Sequence, residues 1–98
     1  DSKTLKRFVA CYSCETGNRR GLGFDRPQKE GDGPTCGCVS HNSFGHTGFT
    51  GTFAWADPES GIILVFLSNR IFPNAENKNI YELDIRTRIQ QVIQDSIL

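Results

Sequence analysis

Phe44-Gly45-His46-Thr47-Gly48-Phe49-Thr50-Gly51-Thr52 holds three glycines and three threonines in nine positions. Glycine at this density weakens a strand unless another group must come close to its backbone. The stretch is therefore either a bulged or twisted strand in which Gly relieves crowding, or a strand along which a ligand lies. The residues that follow set its secondary structure. Phe53 and Trp55 fall on one face and Ala54 and Ala56 on the other, and Asp57-Pro58-Glu59-Ser60-Gly61 is made of residues that suit a tight turn. Beyond the turn, Ile62-Ile63-Leu64-Val65-Phe66-Leu67 is apolar at consecutive positions. From Ser43 to Asn69 the chain thus reads as β with a hairpin, and the apolar arm reads as a central strand covered on both faces.

The flanks read as helix. Leu5, Phe8, Val9 and Tyr12 fall at i, i+3, i+4 and i+7, which predicts a short N-terminal helix ending near Cys14 to Gly17. A strand fits Arg19 to Asp25, and Pro27 to His41 reads as an aperiodic surface loop. At the other end Ile85, Ile89, Val92, Ile93, Ser96 and Ile97 make a helical stripe to be buried, with Gln90, Gln91, Gln94 and Asp95 on the wet side. Asn79 with Glu82 resembles a capping box at its start. The order helix, strand, loop, three strands, helix predicts an α+β fold: an antiparallel β-sheet with packed N- and C-terminal helices.

Composition narrows the function. Ninety-eight residues make one small unit, residues 1–98, with no repeat or linker. A chain of this size buries only about 60 to 65% of its unfolded surface. The 11 basic and 11 acidic residues cancel, so no field favours nucleic acid or an anionic membrane. No apolar run approaches the roughly 18 residues of a membrane span. The start, Asp1-Ser2-Lys3, lacks a signal peptide's apolar core, so the true N-terminus is expected elsewhere.

His46-Thr47-Gly48 resembles the Lys-Thr-Gly box of the serine β-lactamase and penicillin-binding-protein superfamily, in the His-Thr-Gly form of its esterase-like members. The same order of features continues through Phe49-Thr50-Gly51-Thr52, Trp55, Asp57-Pro58, Leu67-Ser68-Asn69-Arg70 and Pro73-Asn74. Gly21-Leu22-Gly23-Phe24 is similar to the strand that precedes the box. The resemblance implies the C-terminal part of a class C β-lactamase-like serine hydrolase that is bacterial and periplasmic or otherwise exported. Its expected partners are the remainder of the parent hydrolase domain and a small-molecule or peptide substrate.

The resemblance also implies roles. His46 takes the place of the box lysine and faces the cleft, where the imidazole donates a hydrogen bond to a catalytic hydroxyl or a substrate carboxylate. A permanent charge is thereby exchanged for a group with an ordinary pKa of about 6.5. Thr47 offers its hydroxyl to the substrate, Gly48 lets the substrate lie against the strand, and the Phe49 N–H is one of two oxyanion-hole donors. Asn69 and Asn74 resemble asparagines near the substrate carboxylate in class C enzymes. Without the resemblance, His46 reads as a strand histidine satisfied by a neighbour, Phe49 as a packing residue, and Asn69 and Asn74 as turn residues. Arg70 has the geometry to pair with a carboxylate, although an exposed arginine commonly contributes nothing measurable.

The superfamily's nucleophile and base sit in a Ser-x-x-Lys element. None of Ser2, Ser13, Ser40, Ser43, Ser60, Ser68 and Ser96 has Lys three positions later. The chain by itself is therefore expected to be inactive and, with a face meant for the rest of the domain, prone to self-association. Cys11-x-x-Cys14 and Cys36-x-Cys38 leave zinc, disulfides and free thiols open, although one spacer in the second pair is short for zinc. The resemblance implies neither metal nor cofactor. The alternative is a disulfide- or zinc-stapled small binding module in which the Gly-rich strand is purely structural.

Overall fold

The computed structural model describes residues 1–28 and 33–97. Three strands, β1 (Phe44–Thr47), β2 (Phe53–Asp57) and β3 (Ile62–Phe66), form an antiparallel sheet in the order β1-β2-β3. Helix α1 (Ser2–Val9) precedes it, and α2 (Asn79–Glu82) and α3 (Ile85–Asp95) follow. The fold is α+β, with the sheet and the hairpin where the sequence places them. In the β2–β3 turn the Gly61 N–H returns to the Asp57 carbonyl at 2.9 Å.

Register divides the sheet into two unlike faces. Gly45, Trp55 and Leu64 are cross-strand partners, as are Thr47, Phe53 and Phe66, so these side chains share one face. That face is covered: Phe53 and Trp55 are each 2% exposed and their rings stack at 5.6 Å. Burying each contributes about 1.5 to 3 kcal/mol. Gly45 is part of the same packing, since a Cβ there would strike the Trp55 ring and the Ala54 carbonyl. The other face carries His46, Ala54 and Val65 in one row and Phe44, Ala56 and Ile63 in the next. It is largely bare.

Here the structure corrects several expectations. Within the chain β3 is an outer strand and not a central one, and Ile63, Val65 and Leu67 are 75%, 58% and 79% exposed. Nothing within the described residues covers the side on which they lie.

The N-terminal helix stops at Val9, because Ala10 turns to an extended conformation (ψ 148°), and Tyr12 lies outside it. Asp1 caps its start, accepting the Thr4 N–H at 2.8 Å. No α1 residue is buried; Leu5 and Val9 rest beside Phe44, Arg26 and Pro58 around a hollow of about 380 Å³. The stretch Arg19 to Asp25 is not a strand but a tight reversal. Arg20 bridges Asp25, Gly21 donates to Phe24, and Asp25 alone pairs with β1, at Gly45.

The C-terminal helix is broken at Asp84 (φ 50°), and the capping box is absent: Asn79 lies inside α2, and its N–H is met instead by the Asn77 side chain at 3.1 Å. More consequentially, α3 presents the opposite face from the one its apolar stripe predicts. Arg86 and Gln90 are buried at 7% and 3% exposure, whereas Ile89 and Val92 are exposed. Polar partners decide the orientation. Arg86 Nη1 donates to the Gly51 carbonyl at 3.2 Å, and Gln90 Oε1 accepts the Cys36 N–H at 3.0 Å. Each replaces water at a buried backbone group.

The described part of the 27–41 loop is aperiodic but not wholly superficial, since Thr35 and Cys36 are buried. All four cysteines are paired locally, Cys11 with Cys14 and Cys36 with Cys38.

Candidate functional site

Strand β1 has a closed edge and an open one. Its inner edge pairs with β2, while on the outer edge only Gly45 is engaged, exchanging both backbone hydrogen bonds with Asp25 at 2.7 and 3.0 Å. Strand geometry alternates the direction of successive peptide groups, so Thr47 follows Gly45 outward; beyond Thr47 the chain leaves the strand, and Gly48 to Gly51 form a turn closed by the Gly51 N–H on the Gly48 carbonyl at 3.0 Å. The Gly48 N–H meets the Thr52 carbonyl, at 2.8 Å. The Phe49 N–H has no protein acceptor among the described residues. His46 and Thr47 thus end β1, whose outer edge is open beyond Gly45, and Gly48 and Phe49 follow in the turn that leads away from it.

His46 is exposed and projects from the bare face. Its Nδ1 lies 2.6 Å from the Thr47 carbonyl and its Nε2 lies 3.2 Å from Arg20 Nη2. Arg20 in turn is held by Asp25, Nε to Oδ1 at 2.8 Å. Thr47 points the other way, into a cleft of about 340 Å³ that it lines with Asp25, Tyr81, Asp84, Arg86 and Thr87. The two adjacent box residues thus serve opposite faces of the strand. A Cβ on Gly48 would strike the Thr52 hydroxyl, so this glycine is required by packing as well as offering an open path along the strand.

Cation–π contacts stand behind the Tyr81 and Arg86 side of the cleft. The Arg70 guanidinium lies 5.0 Å from the Phe49 ring and 5.1 Å from the Tyr81 ring, and Arg86 lies 5.1 Å from Tyr81 and 5.8 Å from Phe53. Burial is the main influence on the Arg86 guanidinium and lowers its pKa; Tyr81 opposes this and Arg70 adds to it. Arg70 also donates to the carbonyls of Ala75 and Asn77, so its planar fork fastens the segment after β3. Asn74 turns that segment, accepting the Glu76 N–H at 2.9 Å. Asn69 is exposed just beyond β3, and neither asparagine lines the Thr47 cleft.

Arg20, Asp25, Tyr81 and Arg86 are the members of this neighbourhood that sequence reasoning missed. For Arg20 and Asp25 a signal exists: they flank Gly21-Leu22-Gly23-Phe24, and reading that tetrad as a turn brings them opposite each other. For Tyr81 and Arg86 there is none, because tertiary packing alone brings them to Thr47. Among the described residues no group of three or more His, Cys, Asp or Glu side chains is placed to hold a metal ion.

Comparison with known proteins now adds to the geometry. The family model described as Beta-lactamase matches residues 5–87. A crystal structure of a beta-lactamase from Mycobacterium bovis is similar to the chain at 30% identity and a TM-score of 0.63, over 81% of this chain and 27% of that one. No curated protein matches. The chain thus spans little more than a quarter of the structure it resembles. With a family match over most of its length and an antiparallel α+β fold that agrees, the chain belongs to the beta-lactamase family.

Proposed function

We propose that this chain is the C-terminal part of a β-lactamase-like serine hydrolase that cleaves an amide or ester through an acyl-enzyme. Its substrate is a β-lactam, a peptidoglycan peptide or an ester, and the parent protein is a bacterial one, periplasmic or otherwise exported. The observation that carries this reading is the open outer edge at the end of β1, at His46 and Thr47, followed directly by the Gly48–Gly51 turn with its unengaged Phe49 N–H. In this reading an acyl substrate lies along that edge. The Phe49 N–H is half of an oxyanion hole, and the other half comes with the nucleophile from the rest of the domain. Thr47 and Gly48 shape the place where the substrate rests, with Asn69 and Asn74 beyond β3 toward its carboxylate end.

The exchange of lysine for His46 favours the esterase or peptidase form over a penicillinase, since the strand itself carries no permanent charge at that position.

The test is the complete reading frame and its product. A Ser-x-x-Lys element upstream of His46, and covalent labelling of that serine by a fluorescent penicillin or an aryl phosphonate, is the expected result. A complete frame without that element, or a purified parent that neither reagent labels, overturns the reading and leaves a disulfide-stapled binding module.

A further inference from the structure

His46 makes two ring contacts of different kinds, and together they specify its chemistry. A guanidinium has only donors, so the 3.2 Å contact from Arg20 Nη2 requires His46 Nε2 to be the acceptor. Nδ1, 2.6 Å from the Thr47 carbonyl, faces an acceptor and must carry the proton. The two contacts agree on one form of the ring, neutral and protonated at Nδ1. Arg20 is not free to leave this arrangement easily, because Asp25 Oδ1 accepts its Nε at 2.8 Å and Asp25 is itself fixed to Gly45 by two backbone hydrogen bonds. The anchor of the arginine is thus the strand that bears the histidine.

We propose that Arg20, held by Asp25, is a positioning residue that fixes His46 as the neutral Nδ1–H tautomer, with Nε2 accepting from Arg20 beside the open edge of β1. The functional meaning deepens the hydrolase reading and rests on it. In this form the one acceptor lone pair of the ring, on Nε2, is engaged by Arg20 and its only N–H is committed to the strand, so His46 does not donate to a substrate carboxylate and meets an incoming hydroxyl or water only if Arg20 swings aside. The permanent positive charge beside the box belongs to Arg20, whose side chain is 59% exposed. The expected donor role of His46 is replaced by an acceptor role, and Arg20 supplies the donors.

The tautomer is read directly by long-range proton–nitrogen correlation spectroscopy on the ¹⁵N-labelled chain, which contains two histidines, His41 and His46. With His41→Gln the remaining ring signals belong to His46. At about two pH units above the ordinary imidazole value, the Nδ1–H pattern should dominate. Arg20→Ala should move the tautomer ratio toward Nε2–H by roughly three- to tenfold, the equivalent of one charge-assisted hydrogen bond at an exposed site. Arg20→Met, which keeps the aliphatic length without a donor, should do the same and serves if the alanine variant loses its dispersed amide spectrum. Arg20→Lys should retain part of the Nδ1–H excess. A dominant Nε2–H ring in the unsubstituted protein, or a ratio unmoved by both Arg20→Ala and Arg20→Met, overturns the proposal. The signature needs no substrate, so it survives loss of the hydrolase reading, and turnover in the parent protein tests that reading separately.

Discussion

The side-chain oxygen of Gln90 accepts the backbone N–H of Cys36 at 3.0 Å, joining α3 to a loop 54 residues earlier in the chain. Both residues are buried, Gln90 to 3% exposure. Gln90→Leu leaves that N–H without a partner, and the expected loss is about 1 to 3 kcal/mol. Ile89→Ala and Val92→Ala on the same helix should each change stability by less than about 0.5 kcal/mol, since these side chains face solvent. Urea unfolding of the three variants checks the order. Larger losses at Ile89 and Val92 would show that the apolar stripe of α3 is the buried one after all.

That inversion shows what a single sequence conveys and where it stops. The 3.6-residue period of Ile85, Ile89, Val92 and Ile93 correctly marks a helix. It does not say which side meets the rest of the chain, because the partners of Arg86 and Gln90 are backbone groups at Gly51 and Cys36 that no local pattern reveals. The apolar run Ile62 to Leu67 is likewise a strand, yet its demand for cover on both faces is not met within these residues. Turn chemistry at Asp57 to Gly61 was legible because it is local. At the site, His46-Thr47-Gly48 was legible as a motif, while Arg20 reaches His46 from 26 residues away and only the folded reversal at Gly21 to Phe24 brings it there.

Asp57 gives the fold an acid-sensitive joint. Its carboxylate accepts the N–H and the hydroxyl of Ser40 and the Glu59 N–H. Burial alone would raise its pKa, but the hydrogen bonds from Ser40, Glu59 and Ser60 outweigh it, so the pKa is lowered. A lowered folded value means that the stabilisation is complete above the ordinary carboxylate value of about 3.9 and is lost as pH falls through the folded value. Asp57→Asn should therefore be less stable than the unsubstituted chain at pH 6, by about 1 to 2 kcal/mol. Its stability should also fall less steeply below pH 4. Denaturation midpoints measured from about pH 6 to pH 2 check both; parallel curves for the two proteins would remove Asp57 as the cause.

The cysteines should resist alkylation until reduced, since each is paired with a near neighbour, Cα to Cα 5.7 Å for Cys11–Cys14 and 5.1 Å for Cys36–Cys38. Mass spectrometry after iodoacetamide should find no adduct on the oxidised chain and four after reduction. Elemental analysis of protein purified without chelator should find no stoichiometric zinc. One tightly held zinc per chain, released as the thiols are alkylated, would replace the disulfides by a metal site.

In the parent enzyme His46→Ala should lower turnover by about tenfold, the scale of the one hydrogen bond by which it holds Arg20 beside the site. Stability should hardly change, because the ring is exposed on a bare face and contributes no packing. Turnover and thermal midpoint measured on one preparation separate the two roles. Comparable losses in both would make His46 a structural residue.

The 98-residue chain alone should fold, show no hydrolase activity, and self-associate. Covalent catalysis needs a nucleophile with a base beside it, and no serine here is followed at the third position by lysine. The Phe49 N–H supplies one oxyanion donor; losing a single donor from a complete hole already costs about 3 to 4 kcal/mol of transition-state stabilisation. Folding is a separate matter, since Phe53, Trp55 and Ile80 are buried and the sheet is hydrogen-bonded within these residues. Association follows from what remains uncovered: Ile63, Val65 and Leu67 on the bare side of an outer strand, and Val92 at 69% exposure on α3. An exposed edge strand with an apolar face pairs readily with another copy. Sedimentation should show a mass that rises with concentration, and Val65→Lys, which charges the bare face without touching the buried one, should lower it. Turnover of a chromogenic cephalosporin or an aryl ester that persists through repeated purification, or stable labelling by a fluorescent penicillin, would place a working nucleophile within these residues. A monomer at all concentrations would mean that the bare face is covered by the chain's own residues in solution.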